Sequence, residues 1–285
     1  MTPAQDPVPA AWSRLLVEVP PFRPVAVRLM NMMGDPSVNL GQVVQLLRSD
    51  APLTTDLLRV ANSPLLAVRV EIKNILQALS YLGVERVHGL IMTSAMKALV
   101  DTSRCASTQA CWRHNLATAL ISRRLAASWG LLKEECYLAG LIHDIGRMAM
   151  LRAFQEYEGA MLHAAAEGLD LCGAEKSLLG FDHCEAGSWI LARRDFPLEL
   201  QIVAAQHEHP SGVPGRAQSM ASLVGTSCQV ANSIGLQIFP SPSPPQLPEI
   251  AAKCSERTRN QLFAEYADIA EETATKVNGV EQDLL

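Results

Sequence analysis

The stretch Ala139-Gly140-Leu141-Ile142-His143-Asp144-Ile145-Gly146-Arg147 places an adjacent His-Asp pair at the end of an apolar segment. Histidine and aspartate are rarely buried without a polar partner, because an unpaired polar group in a core costs free energy. A helix that carries such a pair into a core indicates a metal site, the remnant of one, or a hydrogen-bonded structural pair. All three interpretations stay open on these residues alone.

Three further histidines lie on separate predicted helices, and they bear on the role of the pair. They are His114, His183 and His207, so four helices each offer at least one side chain that can bind a metal. A zinc motif carried by a single helix has a much tighter spacing than this scattered set. We therefore predict a site that a helical bundle assembles.

The composition is typical of a helical protein with a sizeable core. Hydrophobic residues make up 48% of the 285 residues and aromatic residues only 5%, so aliphatic side chains must fill the core. This balance favours helices over a β-sandwich. The seven cysteines are scattered, without a C-x-x-C pair, and fit reduced thiols better than a disulfide framework.

Charge and hydropathy exclude several classes of function. A net charge of -5 argues against broad binding to nucleic acids, which requires a basic surface. We find no signal-peptide pattern and no apolar run long enough to cross a bilayer. We therefore expect a cytoplasmic protein without broad nucleic-acid binding and without a membrane segment.

Hydrophobic periodicity predicts helices along most of the chain and no strand of any length. In the first half, Asp50 and Asn74 are predicted to begin helices, Gly83 to end one, and residues 84–100 to form a buried helix. A start signal at residues 35–37 precedes another helix. In the second half, we predict helices at residues 110–129, 134–152, 155–167, 173–179, 183–195, 198–208 and 217–235.

The polar residues 102–108 and the proline-rich residues 240–245 suggest the boundaries of the units. We predict a loose lead-in (1–14), an N-terminal helical lobe (15–105), a second helical lobe (106–235), a proline-rich loop (236–248) and a C-terminal amphipathic helix (249–285). The predicted apolar stripe of that last helix consists of Leu262, Phe263, Tyr266, Ile269 and Ala270.

Several motifs in a fixed order resemble the HDOD domain, a helical relative of the HD phosphohydrolases. The resemblance covers roughly residues 15–235. In the first half it is carried by residues 49–63 and 75–83. In the second half it is carried by Trp112-Arg113-His114-Asn115, by residues 139–146, by Phe181-Asp182-His183-Cys184-Glu185-Ala186-Gly187, by Pro197 and by Gln206-His207.

The resemblance implies an all-α, two-lobed helical bundle whose C-terminal lobe is HD-like. Active HD enzymes bind their metal through a histidine, the adjacent His-Asp pair and a later aspartate, and two-metal members add further histidines. His114 matches the first histidine, and His143 with Asp144 matches the pair. His183 and His207 match two of the additional histidines. A divalent Fe, Mn or Zn ion is the implied cofactor.

Three positions depart from the pattern of the active enzymes. Asn232 stands where the later aspartate is expected, Gln206 replaces a histidine, and Arg147 replaces the lysine after the His-Asp-x-Gly unit. An amide has no full negative charge for the metal, and a guanidinium is a planar fork rather than a compact cation. The site therefore looks incomplete for activating a water molecule.

These departures favour a non-catalytic module of bacterial signal transduction that binds regulatory or signalling proteins. The alternative is a metal-dependent phosphohydrolase that acts on nucleotides or cyclic dinucleotides. The sequence does not indicate the partner, the input signal or the oligomeric state. We interpret His88 and His163 as ordinary partly exposed residues, His209 as a surface residue and Cys184 as core, since Cys184 and its neighbour should point about 100° apart.

Overall fold

A computed structural model of the chain describes residues 10–19, 22–32, 39–62, 70–101, 105–210 and 215–284. These residues form helices and no β-strand, which confirms the prediction of an all-α fold. The α-helices are α1 (Ala10–Glu18), α2 (Pro24–Asn31), α3 (Leu40–Arg48), α4 (Ala51–Ala61), α5 (Ile75–Leu82), α6 (Val84–Asp101), α7 (Ala106–Leu125), α8 (Lys133–Ile142), α9 (Ile145–Ala153), α10 (Gln155–Ala166), α11 (Leu171–Leu179), α12 (His183–Arg193), α13 (Leu198–Gln206), α14 (Arg216–Ser233), α15 (Leu247–Ala252) and α16 (Glu256–Leu284); a short 3-10 helix, Ala126–Trp129, follows α7.

Local capping fixes several helix ends in the first half of the chain. The Asp50 carboxylate accepts a hydrogen bond from the backbone N–H of Leu53, and Asn74 accepts one from the N–H of Gln77. Gly83 ends α5 with a φ of 80°, a conformation that suits glycine. All three ends were predicted. The start signal at residues 35–37 lies outside the described residues, and the described cap of α3 is Asn39.

The N-terminal helix corrects the predicted lead-in. Helix α1 begins at Ala10, so the part of the lead-in that is described is helical rather than loose. It packs on α9 and α12, and Leu15 is fully buried there. Arg194 of the segment after α12 donates a hydrogen bond to the Leu16 carbonyl oxygen (2.9 Å). The apolar face of α1 explains this packing, since a short amphipathic helix is stable only against a core.

Helices α6 and α8 also pack against each other, so contacts join the two predicted lobes. The division into two lobes stays a prediction. The boundary proposed at residues 102–108 is partly wrong, because α7 already begins at Ala106. Residues 102–104 lie outside the described part of the chain.

Helix α7 lies at the centre of the second half and packs against α8, α14 and α16. The backbones of α7 and α8 approach each other closely at Gly140. A Cβ atom on Gly140 would lie 2.8 Å from the Cα atom of Ala119. Only glycine permits this approach, and it brings the end of α8 next to the middle of α7.

One predicted helix, 134–152, is in fact two helices that meet at the His-Asp pair. Helix α8 ends at Ile142 and α9 begins at Ile145. Asp144 leaves helical geometry, with φ -99° and ψ 24°. Apolar residues continue on both sides of the break, so the hydrophobic pattern did not reveal it. The break turns both polar side chains toward the bundle interior.

The C-terminal segment packs on the bundle. The proline-rich residues 240–245 are not helical, as predicted, but the single helix predicted after them is two helices, α15 and α16. Leu262 and Ile269 are buried, whereas Phe263 is 54% exposed and does not belong to the buried stripe. Arg124 of α7 forms an ion pair with Glu265 of α16 at 2.8 Å. None of the helices described is long and apolar enough to span a bilayer.

Candidate metal centre

The structure brings together all five side chains that the sequence singled out. His143 and Asp144 occupy the α8–α9 break, and His183 is the first residue of α12. His114 lies in the middle of α7, and His207 follows the last residue of α13. Each of the five is at most 1% exposed. Such burial of polar groups requires partners inside the bundle.

Three ligand atoms converge at the middle of the cluster. Asp144 Oδ1 lies 3.3 Å from His183 Nε2 and 3.5 Å from His207 Nε2, and the two Nε2 atoms are 3.3 Å apart. Ligands about 2.0–2.1 Å from a tetrahedral metal are separated from one another by roughly 3.3 Å. The triangle of Asp144, His183 and His207 therefore has the dimensions of one face of a metal tetrahedron.

All four histidines have a hydrogen-bond acceptor at Nδ1. His114 Nδ1 lies 2.8 Å from the Leu236 carbonyl oxygen, and His143 Nδ1 lies 2.7 Å from that of Gly140. His183 Nδ1 contacts a carboxylate oxygen of Glu175 at 2.6 Å, and His207 Nδ1 lies 3.1 Å from the carbonyl oxygen of Ala204. Carbonyl and carboxylate oxygens only accept, so Nδ1 carries the proton. This leaves Nε2 as the metal-binding atom of each ring.

Two buried acceptor atoms in the centre, His143 Nε2 and Asp144 Oδ1, have no hydrogen-bond partner. The donor Arg147 Nε has none either, but it lies 3.5 Å from Glu175. Buried polar groups are nearly always satisfied, and an unpaired lone pair beside other lone pairs is unfavourable. A divalent cation would satisfy both atoms, so the residues present fit a metal ion. Whether one binds, and which, stays a prediction.

Arg147 is the dominant cation of the centre. Its side chain is 5% exposed; Nη1 donates to Asp144 Oδ2 at 3.0 Å, Nε lies 3.5 Å from Glu175, and Nη2 lies 3.7 Å from Glu208. Nη2 is also 2.9 and 3.0 Å from the two ring nitrogens of His183. If Nη2 lay in the plane of the His183 ring at these two distances, it would clash with Cε1. The guanidinium of Arg147 therefore lies over the face of the ring.

The charges of the centre shift one another's pKa. Burial alone would raise the pKa of Asp144, but Arg147 and the histidines outweigh it and hold that pKa well below its usual range. Burial and Arg147 would lower the pKa of His183, but Glu175 and Asp144 outweigh them and raise it well above the ordinary value.

Glu175 and Glu208 contact the centre, and the sequence analysis missed both. Glu175 is fully buried and accepts hydrogen bonds from Tyr157 Oη (2.5 Å) and from the backbone N–H of His183 (2.9 Å). Burial raises its pKa, but attraction by His183 and Arg147 prevails and lowers it to about 2. In the sequence, the only signal is the spacing of three residues between Cys172 and Glu175, which puts both on one face of a helix. In the structure, that face of α11 is the buried one.

Three cysteines lie beside the predicted ligands, and Cys172 belongs to one group with His183 and Cys184. Cys184 is buried, as expected of a core residue, but its Sγ also lies 3.4 Å from His183 Nε2, so the angle between adjacent helix positions did not keep it away from the site. Cys228 Sγ lies 3.3 Å from His114 Nε2. Asn232, one turn further along α14, points its amide nitrogen at Cys228 Sγ over 3.9 Å. The residue of α14 that contacts a histidine of the centre is therefore Cys228, whereas the sequence analysis expected Asn232 in that role.

The histidines outside the cluster behave in two ways. His163 and His209 are exposed, as expected for ordinary surface residues. His88 is only 1% exposed, which contradicts the expectation of partial exposure, and neither ring nitrogen has a hydrogen-bond partner. Burial lowers the pKa of His88 to about 4.

A cavity of about 190 Å³ borders the centre. Its walls include four side chains of the cluster and the loop that follows α14. They are formed by His114, Arg147, Glu208, Cys228, Asn232 and parts of residues 237–245, with residues of α10 and α11. The predicted proline-rich loop therefore covers one side of the centre.

Comparison with known proteins identifies the fold family. The model of the HDOD domain matches residues 19–210. An HDOD domain protein of unknown function from Geobacter sulfurreducens is 22% identical, with a TM-score of 0.74 over 93% of this chain and 98% of that chain. A protein from Shewanella amazonensis SB2B, provisionally named a phosphohydrolase, is 22% identical, with a TM-score of 0.72 over 97% of this chain and 98% of that one.

A curated relative, an uncharacterized protein from Treponema pallidum (strain Nichols), is 23% identical over 210 residues. The match covers 73% of this chain and 41% of the relative, so the chain spans less than half the length of the relative. At these identities the similar structures show the fold alone. The family match covers most of the chain and agrees with the arrangement of the His-Asp pair. The chain belongs to the HDOD family.

Proposed function

We propose that this chain is a non-catalytic module of bacterial signal transduction that acts by binding regulatory proteins. The observation that carries the proposal is the position of Arg147. Its guanidinium lies over His183 and pairs with carboxylates from three other parts of the centre, those of Asp144, Glu175 and Glu208. The Arg147 guanidinium therefore lies where a hydrolase would have to bind a charged substrate.

The energetics of buried ion pairs support this proposal. A substrate phosphate that reached Asp144 and His183 would compete with the carboxylates for Arg147. Removal of one partner from a buried ion pair costs about 3–5 kcal/mol, because the other charge is left uncompensated. Hydrolysis also needs a metal-bound water with room to attack. The cluster is therefore better suited to hold helices α8, α9, α11, α12 and α13 in one arrangement than to turn over a substrate.

The second candidate is a metal-dependent phosphohydrolase, and one observation favours it. The triangle of Asp144, His183 and His207 has the dimensions of a metal site, and the cavity beside it reaches His114. If metal were bound there, it would supply Lewis acidity and lower the pKa of a bound water. Asp144 and the histidines would hold the ion, while Arg147 would hold Asp144 in place.

An activity assay of the full chain separates the two candidates. The chain would be loaded with Mn²⁺ or Fe²⁺ and tested on cyclic dinucleotides, nucleotides and a generic phosphodiester. We expect no turnover above the metal blank, and we expect Asp144→Ala to lower the melting temperature only. The matched control is Asp268→Ala, whose carboxylate is 76% exposed on α16. Metal-dependent turnover that Asp144→Ala abolishes and Asp268→Ala retains would overturn the proposal.

A further inference from the structure

A thiol lies beside two of the metal-binding histidines, on the side of the centre that faces α14. The ligand atoms of His114, His143 and Cys228 all lie within 4.8 Å of one another. The three side chains are 1%, 0% and 6% exposed. They come from α7, the α8–α9 break and α14, so the fold itself assembles them.

The hydrogen bonds around this trio prepare its atoms to bind a cation. The Nδ1–H groups of His114 and His143 are directed to the carbonyl oxygens of Leu236 and Gly140, so Nε2 is the ring atom that carries the lone pair. His114 Nε2 lies 3.3 Å from Cys228 Sγ and 3.5 Å from Thr118 Oγ1. His143 Nε2 has no hydrogen-bond partner. The amide of Asn232 points at Cys228 Sγ and would stabilise a negative charge on the sulfur.

We propose that Cys228 is a metal ligand and forms with His114 and His143 a site of two nitrogens and one sulfur. The proposal deepens the proposed function and rests on it, since it names the class of metal that the non-catalytic centre would hold. A tetrahedral zinc ion with bonds of about 2.0–2.1 Å to nitrogen and 2.3 Å to sulfur separates these atoms by roughly 3.5 Å. The separation of His114 Nε2 and Cys228 Sγ, 3.3 Å, is within reach of that value.

The donor set determines the metal preference. A thiolate with two imidazoles suits Zn²⁺ or Co²⁺, whereas Mn²⁺ and Mg²⁺ prefer oxygen ligands. On binding, the Cys228 thiol loses its proton to solvent, and the sulfur–metal bond takes its place. The site therefore selects a borderline metal such as Zn²⁺ or Co²⁺ over hard ions such as Mn²⁺ and Mg²⁺.

Cobalt spectroscopy of the metal-free full chain tests the proposal. One equivalent of Co²⁺ should give a thiolate-to-cobalt charge-transfer absorption in the near ultraviolet, which oxygen and nitrogen ligands do not produce. Cys228→Ser should abolish this absorption. Cys136→Ser, which removes a buried thiol on α8 outside the cluster, should retain it. Cys172→Ser and Cys184→Ser remove the two thiols beside His183 and should also retain it.

The proposal would be overturned if the wild-type chain lacked the absorption or if Cys228→Ser retained it. It would also be overturned if Cys184→Ser lost the absorption while Cys228→Ser kept it. If Cys228→Ser does not fold, X-ray absorption of the zinc-loaded chain that carries both Cys172→Ser and Cys184→Ser decides instead. One sulfur at about 2.3 Å supports the assignment, and a shell of nitrogen and oxygen only contradicts it. Phosphodiester turnover would overturn the proposed function but leave this ligand assignment intact, so the two failures are distinguishable.

Discussion

Arg147 donates a hydrogen bond from Nη1 to Asp144 Oδ2 over 3.0 Å, in a core where the two side chains are 5% and 0% exposed. The two residues are three positions apart, on either side of the start of α9. Each charge lies where desolvation is costly, and Arg147 is paired with both Asp144 and Glu175. Because breaking a buried ion pair is costly, the stability of the helical bundle depends on Asp144 of the His-Asp motif.

Loss of Arg147 should therefore strongly destabilise the protein. We expect Arg147→Ala to lower the free energy of unfolding by about 3–5 kcal/mol, since Asp144 and Glu175 become uncompensated buried charges. Urea denaturation followed by circular dichroism measures this change. The control is Arg59→Ala, whose side chain is 53% exposed and 3.8 Å from Asp56, and which should cost less than about 1 kcal/mol. Equal effects of the two substitutions would contradict the role of the buried pair.

The close contact of α9 and α12 should be sensitive to a single methyl group. A Cβ atom on Gly146 would lie 2.0 Å from the carbonyl oxygen of His183 and 2.5 Å from the backbone nitrogen of Gly187. We expect Gly146→Ala to lower the free energy of unfolding by about 3 kcal/mol or more, because backbone atoms must move.

The matched control is Gly159→Ala, at an exposed position of α10 where a Cβ atom would meet nothing within 4 Å. This substitution should raise stability by about 0.4–1 kcal/mol, since alanine favours a helix. Thermal unfolding of both variants provides the comparison. A Gly146→Ala variant as stable as the wild type would show that α9 and α12 are further apart than described.

Buried His88 should make stability depend on pH. Burial lowers its pKa to about 4 in the folded protein, against about 6.5 in an unfolded chain. The unfolded state thus binds the proton more readily, and stability present above pH 6.5 is lost as the pH falls toward 4. The loss should reach about 3 kcal/mol by pH 4, relative to a His88→Leu variant. Urea titrations at several pH values measure it, and curves that stay parallel for the two proteins would refute the prediction.

Glu175 should control metal affinity through His183. Its carboxylate contacts His183 Nδ1 at 2.6 Å and fixes the ring with Nε2 toward the centre. We expect Glu175→Gln to weaken binding of Mn²⁺ at the triangle of Asp144, His183 and His207 by about 10–100-fold, the usual effect of losing a partner behind a metal ligand. Calorimetric titration measures the affinity, with Glu271→Gln at an exposed position of α16 as the control. Unchanged affinity in Glu175→Gln would exclude His183 from the ligands of the bound ion.

Much of the fold follows from short-range patterns. Asp50, Asn74 and Gly83 act within a few residues of themselves, so their sequence context sufficed to place the ends of α4 and α5. The break at His143 and Asp144 did not follow, because apolar residues continue through it and a periodic pattern reports burial rather than a change of direction. The burial of His88 was missed for a related reason, since a lone polar residue on a helix gives no sign of what covers it.

The sequence by itself determined the all-α class, the family and the five polar residues His114, His143, Asp144, His183 and His207. These conclusions depend on composition, local capping and the order of motifs along the chain.

Only the tertiary structure decided which groups surround those five. Glu175, Glu208 and Cys228 come from segments far apart in sequence, and their contacts depend on how closely helices pack. Gly140 and Gly146 permit that packing, which no pattern along one helix can reveal. The role of Arg147 was decided in the same way. In the sequence it is a substitution for lysine, whereas in the bundle it is the buried cation that pairs with three carboxylates.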